Sequence, residues 1–234
     1  MNTPLRVAGW GTLGFAIAFF VTFAVNFTLN TLIDYPRYPT ASDMAADFGG
    51  GVVFILLWGS AGIALVVAAV GLPAVVWPEG ALASRIATAF GIISGAGWIF
   101  AGATGLAQRT AMLNGNIAAA GADIASEKAV IEGLFIGVHA GGMLFAFAAL
   151  PWLTMVAVGA AKRRAMSRVA VVFLWVAAIG PLAGFVISGY QFGVLALLPA
   201  LAVVGASLLR SAGRAGRRAD AAASTTAVVP AAGG

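Results

Sequence analysis

The chain has 234 residues, 61% of them hydrophobic and 9% charged, and its mean hydropathy is +0.99. Soluble domains carry about 25% charged residues, so this composition excludes a water-covered globule and points to helices that cross a membrane. The absence of cysteine excludes disulfides, thiolate metal sites and cysteine nucleophiles. The net charge of +5 collects between apolar runs, where membrane topology explains it better than nucleic-acid binding.

In chain order the apolar runs predict an all-α, polytopic transmembrane bundle of six spans within residues 1–210. The first span covers about residues 8–29, too long for the apolar region of a cleaved signal peptide, which runs about 7–15 residues. An outer segment, 30–48, follows with two prolines and three aspartates, and the second span covers about 49–76. The third span covers about 84–107, and a second outer segment at 108–130 carries a turn signal, Asn114-Gly115, before an expected short surface helix. The fourth, fifth and sixth spans cover about 131–159, 168–188 and 190–210. Residues 211–234 are small, polar and basic and read as a disordered cytoplasmic tail, its arginines either stopping transfer or resting on anionic headgroups.

The charges orient the bundle. With the N-terminus inside, ten of the thirteen basic residues lie in cytoplasmic segments and only Arg37, Arg109 and Lys128 outside, so both termini are expected in the cytoplasm. Helices in lipid associate through small residues, and four spans carry stripes of them: Gly91, Gly95 and Gly102 in the third, Gly133, Gly137 and Gly141 in the fourth, Gly180 and Gly184 in the fifth, and Gly189 and Gly193 opening the sixth. Gly180-Pro181 marks an expected kink in the fifth. Trp10, Trp77 and Trp152 fall near the cytoplasmic side, where an aromatic belt is expected, and Trp58, Trp98 and Trp175 deeper, as packing residues.

The single histidine, His139, stands in "IEGLFIGVHAGGMLF", seven residues after Glu132. That spacing puts both on nearly one helical face, roughly 10 Å apart in height, with the glycines pointing elsewhere. Ionisable groups within a span are functional candidates. One histidine without cysteine does not make a zinc site, and no metal or cofactor is expected. His139 is then either a polar tie between helices, a proton relay with Glu132, or a ligand-binding group. Asn26, Asp47 and Gln108 lie at the outer span ends and line a shallow vestibule if the spans bundle tightly; interfacial polarity is the plainer account of them. No catalytic constellation is present: "GGG" at 49–51 lacks the Lys and Ser or Thr of a phosphate loop, and Ser60 lies in no nucleophile elbow.

Two stretches, "TASDMAADFGG" and "LFIGVHAGGMLFAFAALPWLTMVAVGAAKRRAMSRVAVVFLWVAAIGPLAG", carry a resemblance to a bacterial six-span membrane family defined only as a domain of unknown function. In that family a histidine-bearing span runs into a basic turn and another apolar span. The resemblance implies a polytopic fold and no known activity or site residues. Ala-, Gly- and Arg-rich usage looks like that of a high-GC bacterium and suggests its plasma membrane. Two functions follow as expectations: a non-enzymatic membrane partner or assembly protein, or a small transporter or proton-coupled permease using Glu132 and His139. The expected partners are the lipid bilayer and either other membrane proteins or further copies of the chain.

Overall fold

A computed structural model describes residues 3–32, 48–113, 124–188 and 195–227. Every regular element among them is a helix: α1 (Thr3–Leu32), α2 (Phe48–Val76), α3 (Leu82–Leu113), α4 (Ile124–Arg163), α5 (Arg168–Ser188) and α6 (Leu197–Ala227). Where water is absent each backbone N–H and C=O must be satisfied within its own segment, which a helix does and a lone strand does not. Five of the six are long and apolar enough to cross a membrane: the stretches Thr3–Val25, Leu56–Val76, Leu82–Ala107, Ile136–Arg163 and Leu197–Ala219. α5 contributes a shorter apolar stretch, Arg168–Gly184.

Each helix packs on its neighbours in sequence, and α6 returns to pack on α1, so the helices form a closed ring with a lesser contact between α2 and α4 across it. Glycine contacts give the register. A Cβ at Gly71 would lie 2.5 Å from the backbone nitrogen of Ala8, one at Gly141 2.7 Å from that of Ala101, and one at Gly205 2.8 Å from Thr12 Oγ1. These pairings run antiparallel from α1 to α2, from α3 to α4 and from α6 to α1. Small residues let the backbones approach closely enough for dispersion to replace the hydrophobic drive that lipid does not supply.

Two tight turns join the helices at one end. In "WPEG", Pro78 fixes the backbone for the turn, Gly80 takes φ +69° and its N–H donates to the Trp77 carbonyl at 3.1 Å. α4 ends in a left-handed cap at Arg164, φ 51°, with Ala165 N–H donating to the Ala160 carbonyl at 3.1 Å and Arg164 N–H to the Ala161 carbonyl at 3.4 Å. Glycine is the usual occupant of that position, and arginine there costs about 1 kcal/mol of backbone strain. Ser167 Oγ then caps α5 by accepting the Ala170 N–H at 3.2 Å.

The core is apolar and aromatic. Trp98, 1% exposed, is its hub. Its indole stacks on Trp58 at a centroid distance of 4.7 Å and meets Phe145, Phe15 and Phe19 edge-on at 5.1, 5.5 and 5.5 Å. The buried polar side chains among the described residues are Thr12, Thr22, Ser84 and Ser94. Thr12 and Thr22 donate to carbonyls one turn back on α1, whereas Ser94 of α3 donates across to the Phe145 carbonyl of α4 at 3.2 Å. A tie of that kind contributes about 0.6 kcal/mol on average between helices in membranes.

Several elements depart from the sequence expectation. α4 begins at Ile124, so the last residues of the outer segment expected at 108–130 are helical and continuous with the fourth span, while residues 114–123, where a short surface helix was expected to begin, lie outside the described residues. α6 carries on as helix to Ala227, past residue 211, where the composition reads as disorder; its alanines and arginines are strong helix formers. Trp77 and Trp152 are buried, not part of an exterior belt, while Trp10 is 62% exposed. Trp152 is taken inside because Gly91 leaves a slot for its indole, and Trp77 because it packs on Gly159. Trp175, expected as a packing residue, is 36% exposed on the exterior of α5. The expected kink site, Pro181, is buried within α5, where its imide leaves the Ala177 carbonyl without its usual donor.

Candidate functional site

Of the candidate polar residues, Glu132 and His139 lie in the first half of α4. Gly137 and Gly141 face α3: a Cβ at Gly137 would lie 3.2 Å from Thr104 Cγ2, and one at Gly141 2.7 Å from both Ala101 N and Gly97 O. His139 is two residues from each, about 200° around the helix. The glycine seam therefore turns His139 outward, and it is exposed on the outside of the ring. Ile136, Leu144 and Phe147 are also exposed, at 69%, 46% and 57%. His139 thus belongs to an apolar outer face of α4.

Its height follows from the same helix. His139 lies 24 residues before Arg163, about 36 Å along the axis, against a hydrocarbon thickness of about 30 Å. With Arg163 at one membrane surface, His139 stands at the rim of the other. α4 is continuous through Glu132 and Gly133, so the roughly 10 Å rise from Glu132 to His139 holds. The side chains of Glu132, Asn26 and Gln108 and all of Asp47 lie outside the described residues, as do the surroundings of Gly133. Gly91 and Gly95 face α2, where their Cβ positions would lie 2.6 Å from Ala69 Cβ and 2.6 Å from Val66 Cγ2.

Comparison with family models, curated proteins and solved structures finds no match to this chain. The six-span likeness therefore rests on the sequence pattern alone.

At the opposite end the turns carry the charge. Arg163 Nη1 lies 2.6 Å from Glu79 Oε1, joining the end of α4 to the α2–α3 turn. The Glu79 carboxyl is held below its ordinary range, first by a hydrogen bond from its own backbone amide, which desolvation opposes, and then by the hydrogen bond and charge of Arg163. A folded-state pKa below the unfolded one gives stability that is present above the unfolded value and fades as pH falls through the folded value. Glu79→Gln is accordingly expected to lower the unfolding midpoint slightly at neutral pH, and to match the native protein well below about pH 4. Midpoints that differ equally at both pH values would remove the ion pair as the cause. "WPEG" announced this turn in the sequence; the partner of Glu79, 84 positions away, had no local signal.

Proposed function

We propose that the chain is a six-span protein of a bacterial plasma membrane with both termini in the cytoplasm, and that it acts there as a non-enzymatic partner or assembly protein. The observation that carries this reading is the aromatic hub. Rings from α1, α2 and α4 meet on Trp98 of α3 where a transport pathway would pass, and the buried polar groups of side chains among the described residues are hydroxyls and indole N–H groups, with no carboxylate, amine or imidazole among them. A pump or permease needs ionisable groups that face a wet interior. His139 faces the other way, toward whatever adjoins α4. The six helices among the described residues and the basic residues at the turn end support placing both ends on one side.

A photo-crosslinking residue at position 136, in the native membrane, tests the reading. The expected result is a discrete protein adduct, absent when the same probe replaces the buried Leu153. Proton flux into proteoliposomes above empty vesicles, lost in His139→Ala with helicity intact, would instead assign a proton-coupled permease and sink this proposal.

A further inference from the structure

We propose that the cytoplasmic end of α6, together with the α4–α5 turn, binds the phosphate headgroups of anionic glycerophospholipids. The inference takes from the preceding section only that this end of the ring meets a membrane surface. α6 does not stop where its packing stops. Its last buried residue among those described is Ala212, 2% exposed, yet the helix continues to Ala227. Over that boundary it carries Arg210, Arg214, Arg217 and Arg218, spaced i, i+4, i+7 and i+8, so all four lie along one face, and all are exposed.

The direction of that face is fixed by hydroxyls. Ser207, one turn before Arg210 and Ser211 on the same stripe, hydrogen-bonds Ser167 of the α4–α5 turn, Oγ to Oγ at 3.1 Å. Ser211 Oγ donates to the Ser207 carbonyl at 2.9 Å, and Arg214 Nη2 donates to Ser211 Oγ at 3.3 Å. The arginine stripe therefore leaves the ring on the side of the turn that holds Lys162, Arg164 and Arg168, all exposed. Arg210 stands level with the turn, and Arg214 about 10 Å beyond Ser207.

Seven cations thus share one corner. Among the described residues the one ion pair with a carboxylate is Glu79 with Arg163, which uses none of the seven. Like charges so close repel, and an ordered helix that keeps them together has its stability raised by any polyanion that neutralises them. Phosphate suits arginine because the guanidinium fork bonds two of its oxygens. The height of the corner at the end of apolar stretches selects a phosphate carried by a lipid, whose acyl chains lie along the helices while its headgroup reaches the stripe. Basic residues beside a span attract anionic lipid, each adding to the affinity.

The test is thermal unfolding of the full-length protein in neutral detergent with phosphatidylglycerol added, against equal phosphatidylcholine and equal soluble glycerol phosphate. Near a hundredfold excess over the dissociation constant, phosphatidylglycerol is expected to raise the midpoint by about 5–10 °C more than phosphatidylcholine does. Salt at about 0.5 M should remove most of that rise, and glycerol phosphate should not reproduce it. The variant with Arg210→Gln, Arg214→Gln, Arg217→Gln and Arg218→Gln should lose the rise, and lysine at the same four positions should keep most of it. If the glutamine variant does not fold, Arg217→Gln with Arg218→Gln, both beyond the packed part of α6, should lose about half the rise. Equal response to both lipids, or a response kept without the arginines, would reduce the stripe to a topology signal. An equal response to glycerol phosphate would assign it to a soluble anion.

Discussion

Gly141→Ala is expected to destabilise the protein by about 1–3 kcal/mol, although alanine is the better helix former. The new methyl would lie 2.7 Å from Ala101 N and 2.7 Å from Gly97 O, both backbone atoms that no rotamer change moves aside. α3 and α4 must separate to admit it, and the Ser94 bond to the Phe145 carbonyl crosses that same interface. Gly59→Ala is the internal control. A Cβ there meets nothing within 4 Å, so the substitution should raise stability by about 0.5–1 kcal/mol through helix propensity alone. Unfolding free energies of both variants, followed by circular dichroism in detergent, give the comparison. Shifts of the same sign would mean that the seam does not set the stability.

Trp98→Ala should have the largest effect of any single truncation in the described core, about 3–5 kcal/mol. The side chain is 1% exposed and touches rings from α1, α2 and α4, so its loss opens a void facing three other helices at once. Trp10→Ala removes the same atoms from a side chain 62% exposed and should change stability by about 0.5 kcal/mol or less. The pair is measured by the same unfolding assay. Comparable losses at the two sites would show that the aromatic hub is not what holds the ring closed.

The helices were legible because lipid-spanning stretches declare themselves by length and hydropathy alone, and the alternation of basic turns with apolar runs marked where they end. The outward face of His139 was misread: an ionisable residue within a span was expected to face the bundle interior, although Gly137 and Gly141 mark the packing side and a residue midway between them points away. Its height was not legible, since that needed the end of α4 at Arg163. Burial of Trp152 was invisible because it depends on Gly91, on a different helix. The helical end of α6 was misread for a physical reason. Alanine, glycine and arginine in a polar run fit disorder as well as a solvated helix, and only continuity with a packed helix favours the latter. The seams of α1 with α2 and α6, through Gly11, Gly71 and Gly205, lack a repeated four-residue glycine pattern and become visible only as pairs.

The closed ring bears on how the protein is made. As the chain leaves the ribosome, the first five helices assemble as an open arc by pairing each newcomer with its predecessor. Through that time the edge of α1 that carries Gly9, Thr12 and Leu13 has no neighbour on one side, until Gly205 and Leu209 of α6 arrive. The final contact therefore joins the two ends of the chain across the greatest separation in sequence. Closure of the ring must then wait until α6 has been made. Any nascent chain that stalls before α6 presents an unsealed small-residue edge, a ready mark for membrane chaperones and proteases to distinguish from the finished molecule.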